Sequence, residues 1–478
     1  MKKIKVFLAT LLVLLVITSP LLLLVGCALL IPDQHSESFV SELSDKFDRL
    51  NSVEGEKIVV VGGSSVAFGL DSKIMEEYTG KPVVNFGLYA AIGTKAMLDL
   101  SRSAIGAGDV IILAPELDPQ TLSLYFSSEQ TLNAIDGRYD IALHVRGDSL
   151  LALLGGLWRH TKEKIEYLFN GAPSPIGVYS AHSFNEYGDV LYEYKDESGA
   201  LLWERRENVM QFYYDPTKTV SLTPDILSDD FVKYVNEYIA YCESRGATVV
   251  FSWCPVNELA LADGTTSDSL YDFAEYMESK INCEFISSIN DYVMDAGYFY
   301  DTNFHLNETG VIARTGQLIA DLTFSRPYDI PEAPELPGAN VRFDGNDENA
   351  KYFVYTEMSN GALMISGLSE LGKTETTLTL PLGSDGIVVS AVGANAFAGG
   401  VVQTVIIPEN SNIRNLLDGS FNGSGVKKLY IYYNWVNDAE KLSPASNFGG
   451  ADIYLPFDSY IRTHYDWSGY SGSFRNID

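Results

Sequence analysis

The sequence predicts an α/β protein, with a three-layer α/β/α domain on a parallel sheet and a smaller β-rich repeat domain behind it. From residue 57 to about 325, short β-branched runs alternate with amphipathic helical patterns, as in a parallel sheet covered by helices. Beyond residue 338 strand-like alternation replaces the helical periodicity. We therefore divide the chain into an N-terminal transmembrane signal anchor (1–32), a spacer (33–56), the α/β domain (57–326), a proline-rich linker (327–338) and the repeat domain (339–478).

The N-terminal segment has the composition of a membrane anchor. The basic stretch "MKKIK" precedes 27 residues, Val6 to Pro32, that carry no charge, more than the roughly 20 that cross a bilayer core. The positive flank predicts an inside amino end and an outside body. "LVGC", ending at Cys27, resembles a lipoprotein processing box, but the residues after it stay apolar. We favour an uncleaved, single-pass anchor in the cell membrane, and either reading places the body on the extracytoplasmic side.

Composition excludes some partners. The formal net charge is -30, from 63 acidic against 33 basic residues, and such a field repels nucleic acid. The four cysteines show no CxxC spacing and no neighbouring histidine pairs. We therefore expect no metal and no cofactor.

Four apolar runs predict the strands of the α/β domain. Each is short and rich in β-branched residues, as in strands buried on both faces; they are "KIVVV" (57–61), "PVVNF" (82–86), "DVIILA" (109–114) and "ATVVFSW" (247–253). In open sheets of this kind ligands bind beyond the carboxyl ends of the strands. The segment from about 120 to 225 interrupts the alternation with aromatics, glycines and turns, and we interpret it as an irregular insertion that shapes a pocket.

The first predicted strand ends in an unusual turn, "VGGSSVAFG". It lacks the lysine of a phosphate-binding loop, and its glycines are adjacent rather than spaced for a dinucleotide. Two interpretations remain, a plain tight turn and a serine nucleophile. A hydroxyl at the carboxyl end of a strand can face the ligand crevice, where backbone amides can bind an oxyanion.

A serine nucleophile needs a base, and His305 in "YFYDTNFHLNETG" is the first candidate. Asp301 precedes it by four residues in a loop after a strand-like run, where a carboxylate can orient the imidazole. The plain alternative is a helix start with Asn307 as the cap. His182, in the insertion, is the next base to test.

The two ends of this domain together resemble the SGNH/GDSL hydrolase superfamily. "GSSVAFG" is similar to the family's first block, GDSxxxG, with Ser65 at the nucleophile position and Ser64 where Asp is usual. "DTNFHL" resembles the last block, although three residues rather than two separate Asp301 from His305. The resemblance covers about 57 to 325 and implies Ser65, His305 and Asp301 as catalytic residues.

The resemblance also implies an oxyanion hole. "VNFGLYAAIG" is similar to the second block and puts Gly87 at the oxyanion-hole glycine, beside Asn85. The third block appears as "APELD", so that Glu116 stands near the position of the family's asparagine. An ionised glutamate cannot donate a hydrogen bond, and the Asn185 amide is the substitute that we consider.

The implied function is an extracytoplasmic serine hydrolase. The substrate would be an acylated carbohydrate or another envelope molecule, deacylated through an acyl-serine intermediate by an esterase or deacetylase. An O-acyltransferase on envelope polysaccharide would share the first half of the reaction. Two readings without catalysis stay open: an inactive surface-binding protein and a structural envelope protein.

The C-terminal domain contains an internal repeat. "NAFAGGVVQTVIIP" (395–408) aligns with "GSFNGSGVKKLYIY" (419–432) at a shift of 24 residues, a period typical of solenoid turns. The two segments resemble the leucine-rich repeats of BspA-like bacterial surface proteins. This resemblance implies either a face that binds a surface ligand or a structural appendage.

Overall fold

The computed structural model describes most of the chain, in two units. The described residues are 16, 18–20, 23–24, 26–28, 30–172, 175, 177–195, 198–206, 219–335, 342–358, 361–413, 415–417, 419–421, 423–432, 448, 450–456 and 470–477. Those up to Glu335 form the first unit and those from Arg342 the second. The division falls inside the proline-rich stretch 327–338.

The first unit is built on a five-stranded parallel sheet in the order β2-β1-β3-β6-β8, so the predicted α/β class with a parallel sheet is confirmed. Two short strand pairs, β4 with β5 and β7 with β9, lie apart from it. The strands of this unit are β1 Ile58–Gly62, β2 Val83–Gly87, β3 Val110–Ala114, β4 Glu193–Lys195, β5 Leu201–Glu204, β6 Thr248–Phe251, β7 Val256–Asn257, β8 Glu284–Phe285 and β9 Val293–Met294.

Helices connect and cover these strands. Their bounds are α1 Glu42–Ser52, α2 Ser64–Ala67, α3 Ser72–Thr79, α4 Thr94–Ser101, α5 Ser128–Ala134, α6 Asp148–Asn170, α7 Asp229–Ser244, α8 Ser267–Glu278 and α9 Glu308–Thr323. The Asn307 side chain caps α9 by accepting a hydrogen bond from the Gly310 N–H at 2.9 Å, which satisfies one of the free amides of the first turn.

The central strands are apolar throughout because both of their faces are covered. Val60 packs in a buried cluster with Met75 of α3 and Leu318 of α9. Its neighbour Val61 lines a small apolar cavity together with Phe231 of α7. Successive side chains of a strand point to opposite faces, so a strand between two sets of helices has no position for a polar residue.

The prediction of an irregular insertion at 120–225 is wrong in one respect. The segment contains α6, a helix of 23 residues. Its sequence, "DSLLALLGGLWRHTKEKIEYLFN", carries leucines on two neighbouring faces of its first half and two adjacent glycines. No single apolar stripe stands out, so the period of 3.6 residues was hidden.

The predicted anchor lies largely beyond what the structure covers. Within the described residues no helix has both the length and the apolar character needed to cross a bilayer. Most of the segment 1–32 lies outside the described residues.

The second unit consists of two β-sheets. One has the order β10-β11-β14-β13, with β16 beside β14, and the other the order β12-β15-β17-β18-β19. The strands are β10 Phe353–Glu357, β11 Leu363–Leu368, β12 Thr377–Thr379, β13 Gly383–Ser384, β14 Ile387–Val392, β15 Thr404–Ile407, β16 Asn415–Leu416, β17 Lys428–Ile431, β18 Asp452–Leu455 and β19 Phe474–Asn476.

The 24-residue period of the sequence repeat equals the spacing between residues that pair on adjacent strands of the second sheet. Val405 pairs with Leu429 in parallel, and Leu429 pairs with Ile453, so each step advances by 24 residues. Phe397 and Phe421, equivalent in the alignment, stack with centroids 4.8 Å apart. Parallel strands on either side extend the ladder beyond the two turns recognised from the sequence.

Candidate active site

Three side chains form a hydrogen-bonded chain at the carboxyl end of β1. His305 Nδ1 lies 2.8 Å from Asp301 Oδ1, and His305 Nε2 lies 2.8 Å from Ser64 Oγ. With the Nδ1 proton directed to the carboxylate, Nε2 accepts from the Ser64 hydroxyl. This is the arrangement of a nucleophile, a general base and an orienting carboxylate.

The adjacent glycines of the turn are explained by close packing. A Cβ at Gly62 would lie 2.4 Å from the Ala114 carbonyl oxygen, and one at Gly63 would lie 2.2 Å from Glu116 Oε2. A side chain at Gly62 would force apart the ends of β1 and β3, and one at Gly63 would displace the Glu116 carboxyl. The turn can therefore deliver the first residue of α2, Ser64, only because glycines precede it.

The structure places Ser64, and not the predicted Ser65, beside His305. Ser65, predicted as the nucleophile, is fully buried, and its Oγ has no hydrogen-bond partner among the described residues. Its N–H donates to Glu116 Oε1 at 2.6 Å, and its carbonyl accepts from Arg314 Nη1 at 2.6 Å. Consecutive helical residues point about 100° apart, so only one of the two serines can face His305. The doublets of glycine and serine allow the block to be aligned one residue earlier, and this is the signal that sequence reasoning missed.

The unusual spacing of Asp301 and His305 is accommodated by a tight loop. The His305 N–H donates to Thr302 Oγ1 at 3.0 Å, and the Tyr300 N–H donates to the His305 carbonyl at 2.9 Å. The loop brings the side chains of Asp301 and His305 next to each other. The ring of Phe68, one turn beyond Ser64, stacks on the imidazole at 4.1 Å and fixes its plane.

Tyr179 contacts the Asp301 end of the hydrogen-bonded triad. Its hydroxyl donates to Asp301 Oδ2 at 2.7 Å and lies 3.3 Å from His305 Nδ1. The ring of Phe39 packs 5.5 Å from that of Tyr179 and 5.9 Å from that of Phe68. The segment that follows the predicted anchor thus reaches the side chains that hold the triad.

We expect Tyr179→Phe to lower kcat about tenfold and to leave the fold intact. The change removes one hydrogen bond to a charged group, of about 1.5 kcal/mol, while Asp301 Oδ1 keeps its contact with the imidazole. Steady-state kinetics on an aryl acetate measures this. An unchanged kcat would mean that Tyr179 does not orient the carboxylate.

Glu116 lies beside Ser64, near the position where the SGNH/GDSL resemblance leads us to expect an asparagine. Burial raises the pKa of this carboxyl above its ordinary value of 4.5. Oε1 lies 3.4 Å from Ser64 Oγ and accepts the Ser65 N–H, whereas Oε2 has no partner among the described residues. A neutral carboxyl, unlike an ionised one, can donate a hydrogen bond.

We expect Glu116→Gln to gain stability over the wild type as pH rises. Since the folded-state pKa is raised, the contribution of the protonated carboxyl to stability is fully present below its unfolded value and is lost as pH rises through the folded value. Glutamine stays neutral and can still accept the Ser65 N–H. Thermal melts between pH 4.5 and 8 should therefore show a melting-temperature difference that grows with pH.

The control for this series is Glu237→Gln, at an exposed position of α7. Its melting temperature should run parallel to that of the wild type. A constant difference for Glu116→Gln as well would contradict a raised folded-state pKa.

The two other predicted donors are not directed at Ser64. The Gly87 N–H donates to Asn85 Oδ1 at 3.1 Å. The Asn185 amide donates to Asp189 Oδ2 at 3.3 Å, and its oxygen accepts the N–H groups of Tyr187 and Asp189. Asn185 therefore closes its own turn, and these hydrogen bonds do not direct its amide toward Ser64.

Two buried arginines hold the loops that carry the triad. Arg205 Nη1 donates to the carbonyls of Phe68 at 2.8 Å and Leu306 at 2.6 Å, next to His305. Arg314 Nη1 donates to the Ser65 carbonyl. Burial lowers the pKa of Arg205 to about 10, so the guanidinium remains charged at neutral pH and joins the two ends of the domain.

The remaining polar candidates lie elsewhere. His182 Nε2 contacts Glu37 Oε2 at 2.7 Å on the surface. Asp33, His35 and Asp136 are close enough to share a cation. The ammonium of Lys164 already lies 2.5 Å from Asp136 Oδ1, so this cluster has an internal positive charge and does not need a metal.

Comparisons with known proteins identify no family for this chain. No protein-family model matches the chain, and no curated protein matches it significantly. The functional argument therefore rests on the geometry of Ser64, His305 and Asp301.

Proposed function

We propose that the protein is a membrane-anchored serine esterase or deacetylase of the SGNH/GDSL type, with the three-layer α/β/α arrangement of that family. Its substrates would be acyl groups on cell-envelope or extracellular glycans. The observation that carries this proposal is the chain from Asp301 through His305 to Ser64, with 2.8 Å at each step.

The reaction follows from these contacts. Ser64 Oγ attacks the acyl carbonyl and gives its proton to His305 Nε2, and Asp301 stabilises the imidazolium. His305 then protonates the leaving sugar oxygen, which leaves an acyl-Ser64. A water molecule, deprotonated by His305, attacks this ester and releases the acid.

The oxyanion of each tetrahedral intermediate needs donors. The Ser64 N–H is the first amide of α2, so no carbonyl of its own helix is available to it. The Glu116 carboxyl, whose pKa is raised by burial, is the second candidate when it is protonated, in the place where the family uses an asparagine.

The narrow access to the site favours a small acyl group. The exposed fraction of Ser64 is 7% and that of His305 is 5%. A small acyl group such as acetyl needs the least room between Phe68 and the turn, whereas the sugar can stay outside.

The same burial supports O-acyl transfer as the second candidate. An acyl-Ser64 shielded from water survives longer, and a bound sugar hydroxyl can then compete as the acceptor. Incubation with an acyl donor and an oligosaccharide separates the two: acylated sugar indicates transfer, and free acid alone indicates hydrolysis.

A binding role for the second unit has support of its own. Tyr430 and Tyr454 lie on adjacent strands with ring centroids 4.3 Å apart, and Tyr432 is partly exposed beside Tyr430. Such amphipathic rings suit a carbohydrate surface. If Ser64 proves inert while this unit binds glycans, the protein is a surface-binding protein.

The decisive experiment is covalent labelling. We expect a fluorophosphonate to modify the full chain once, with the adduct on Ser64 in the digested peptide. Turnover of an aryl acetate should be lost in proportion to labelling. Absence of both labelling and turnover would exclude the hydrolase proposal.

A further inference from the structure

Helix α6 exposes a continuous apolar surface. Leu151, Leu154, Trp158, Ile165 and Phe169 are exposed and recur at intervals of three, four, seven and four residues, which places them on one face. We call these five residues the α6 apolar face. Trp158 is 70% and Phe169 80% exposed, and the face runs about 27 Å along the helix.

This face is not the core side of the helix. Leu153, Leu157, His160 and Lys164 are buried on a separate face, about 120° round the helix, where α6 packs against α5. A surface helix normally turns polar residues outward. A contiguous exposed apolar surface of this length marks an interaction site.

The end of the predicted anchor is fastened to the same helix. Lys164 Nζ donates to the carbonyls of Ala28 at 3.1 Å and Ile31 at 2.9 Å. Ile31 and Pro32 close the apolar stretch of the sequence. The chain therefore leaves its apolar segment directly against α6.

The contacts that hold the N-terminal segment to α6 are charged and buried. Asp136 Oδ1 lies 2.5 Å from Lys164 Nζ, and Asp136 Oδ2 lies 3.0 Å from His35 Nδ1 and accepts the Gln34 N–H. Burial alone would raise the pKa of Asp136, but the hydrogen bonds from His160, His35 and Lys164 hold it well below its usual range. Ala28, Ile31, Gln34 and His35 are thus held beside α5 and α6 by Lys164 and the ionised Asp136 carboxylate.

We propose that the α6 apolar face lies in the headgroup region of the lipid bilayer that the N-terminal segment enters. Continuity supports lipid as the occupant, since an apolar segment long enough to span a bilayer ends at Lys164 on this helix. Leu23 and Leu30, in that segment, are also exposed.

The composition of the helix fits an interfacial position. Trp and Phe side chains are favoured at the boundary between headgroups and acyl chains. Arg159 and Lys162 are exposed beside the face and can extend toward phosphate groups. In α6 three acidic residues balance Arg159, Lys162 and Lys164, so apolar burial rather than net charge drives the contact.

Quenching of tryptophan fluorescence by brominated lipid tests this. The full chain is reconstituted in phosphatidylcholine vesicles with or without bromine near the glycerol end of the acyl chains. Since the chain has five tryptophans, the contribution of Trp158 is the difference between the wild type and Trp158→Phe. We expect that contribution to lose most of its intensity in brominated vesicles.

Trp203→Phe, at a buried position, is the matched control and should be quenched like the wild type. Phe169→Trp in the Trp158→Phe background should restore quenching, which guards against a misfolded variant. Equal quenching of the wild type and Trp158→Phe would overturn the proposal. In that case a blue-shifted Trp158 emission would indicate a second copy on this face, and a red-shifted one a face in water.

Discussion

Replacing Ser64 by alanine should lower the turnover of an aryl acetate by about 10⁴-fold or more. In the proposed mechanism the Ser64 hydroxyl attacks the carbonyl, and its Oγ lies 2.8 Å from His305 Nε2. Alanine removes only this hydroxyl, so the melting temperature should stay close to that of the wild type.

The matched control is Ser65→Ala. The buried Ser65 Oγ has no partner, so its loss should leave turnover within about tenfold of the wild type and melting unchanged or slightly higher. A dead Ser65→Ala beside an active Ser64→Ala would restore the assignment made from the sequence. Two active variants would exclude serine catalysis altogether.

Arg205→Met should lower the free energy of unfolding by about 3–5 kcal/mol. The guanidinium donates to the carbonyls of Phe68, Val190, Leu191 and Leu306, and methionine leaves these buried acceptors unsatisfied, at about 1–3 kcal/mol each before relaxation. Urea denaturation of the two proteins measures the difference.

Arg206→Met provides the comparison. Arg206 is exposed, and its ion pairs with Glu193, Glu204 and Glu308 lie at the surface, where such pairs contribute little. We expect a change within about 0.5 kcal/mol. Similar losses in both variants would show that the buried hydrogen bonds of Arg205 are not what stabilises the domain.

The sequence predicted four of the five parallel strands well because each is largely buried and almost wholly apolar, whereas the two-residue β8 gives no such run. β1, β2, β3 and β6 lie within a residue or two of the predicted runs, except that β6 ends at Phe251, before the predicted Ser-Trp. The helix α6 escaped because its apolar residues serve two surfaces, the α5 contact and the exposed face. When apolar residues occupy two faces of a helix, the contrast between apolar and polar positions that reveals its 3.6-residue period is weakened.

The candidate site was predicted in part. The order Asp301, loop, His305 could be seen in the sequence, and the structure brings the two side chains together. The choice between Ser64 and Ser65 depends on the residue at which α2 begins, which a doublet of identical residues cannot reveal. The role of Asn185 was missed because its hydrogen bonds to Tyr187 and Asp189 are set by the local turn.

The contact of Phe39 with Phe68 and Tyr179 limits the distance between the triad and the end of the predicted anchor. Six residues lie between Pro32 and Phe39, and even a fully extended chain over these seven steps spans about 24 Å. If the N-terminal segment is the membrane anchor that we propose, Ser64 therefore stays close to the bilayer surface. On the proposed function, we then expect the protein to act only on polymers that reach the membrane surface.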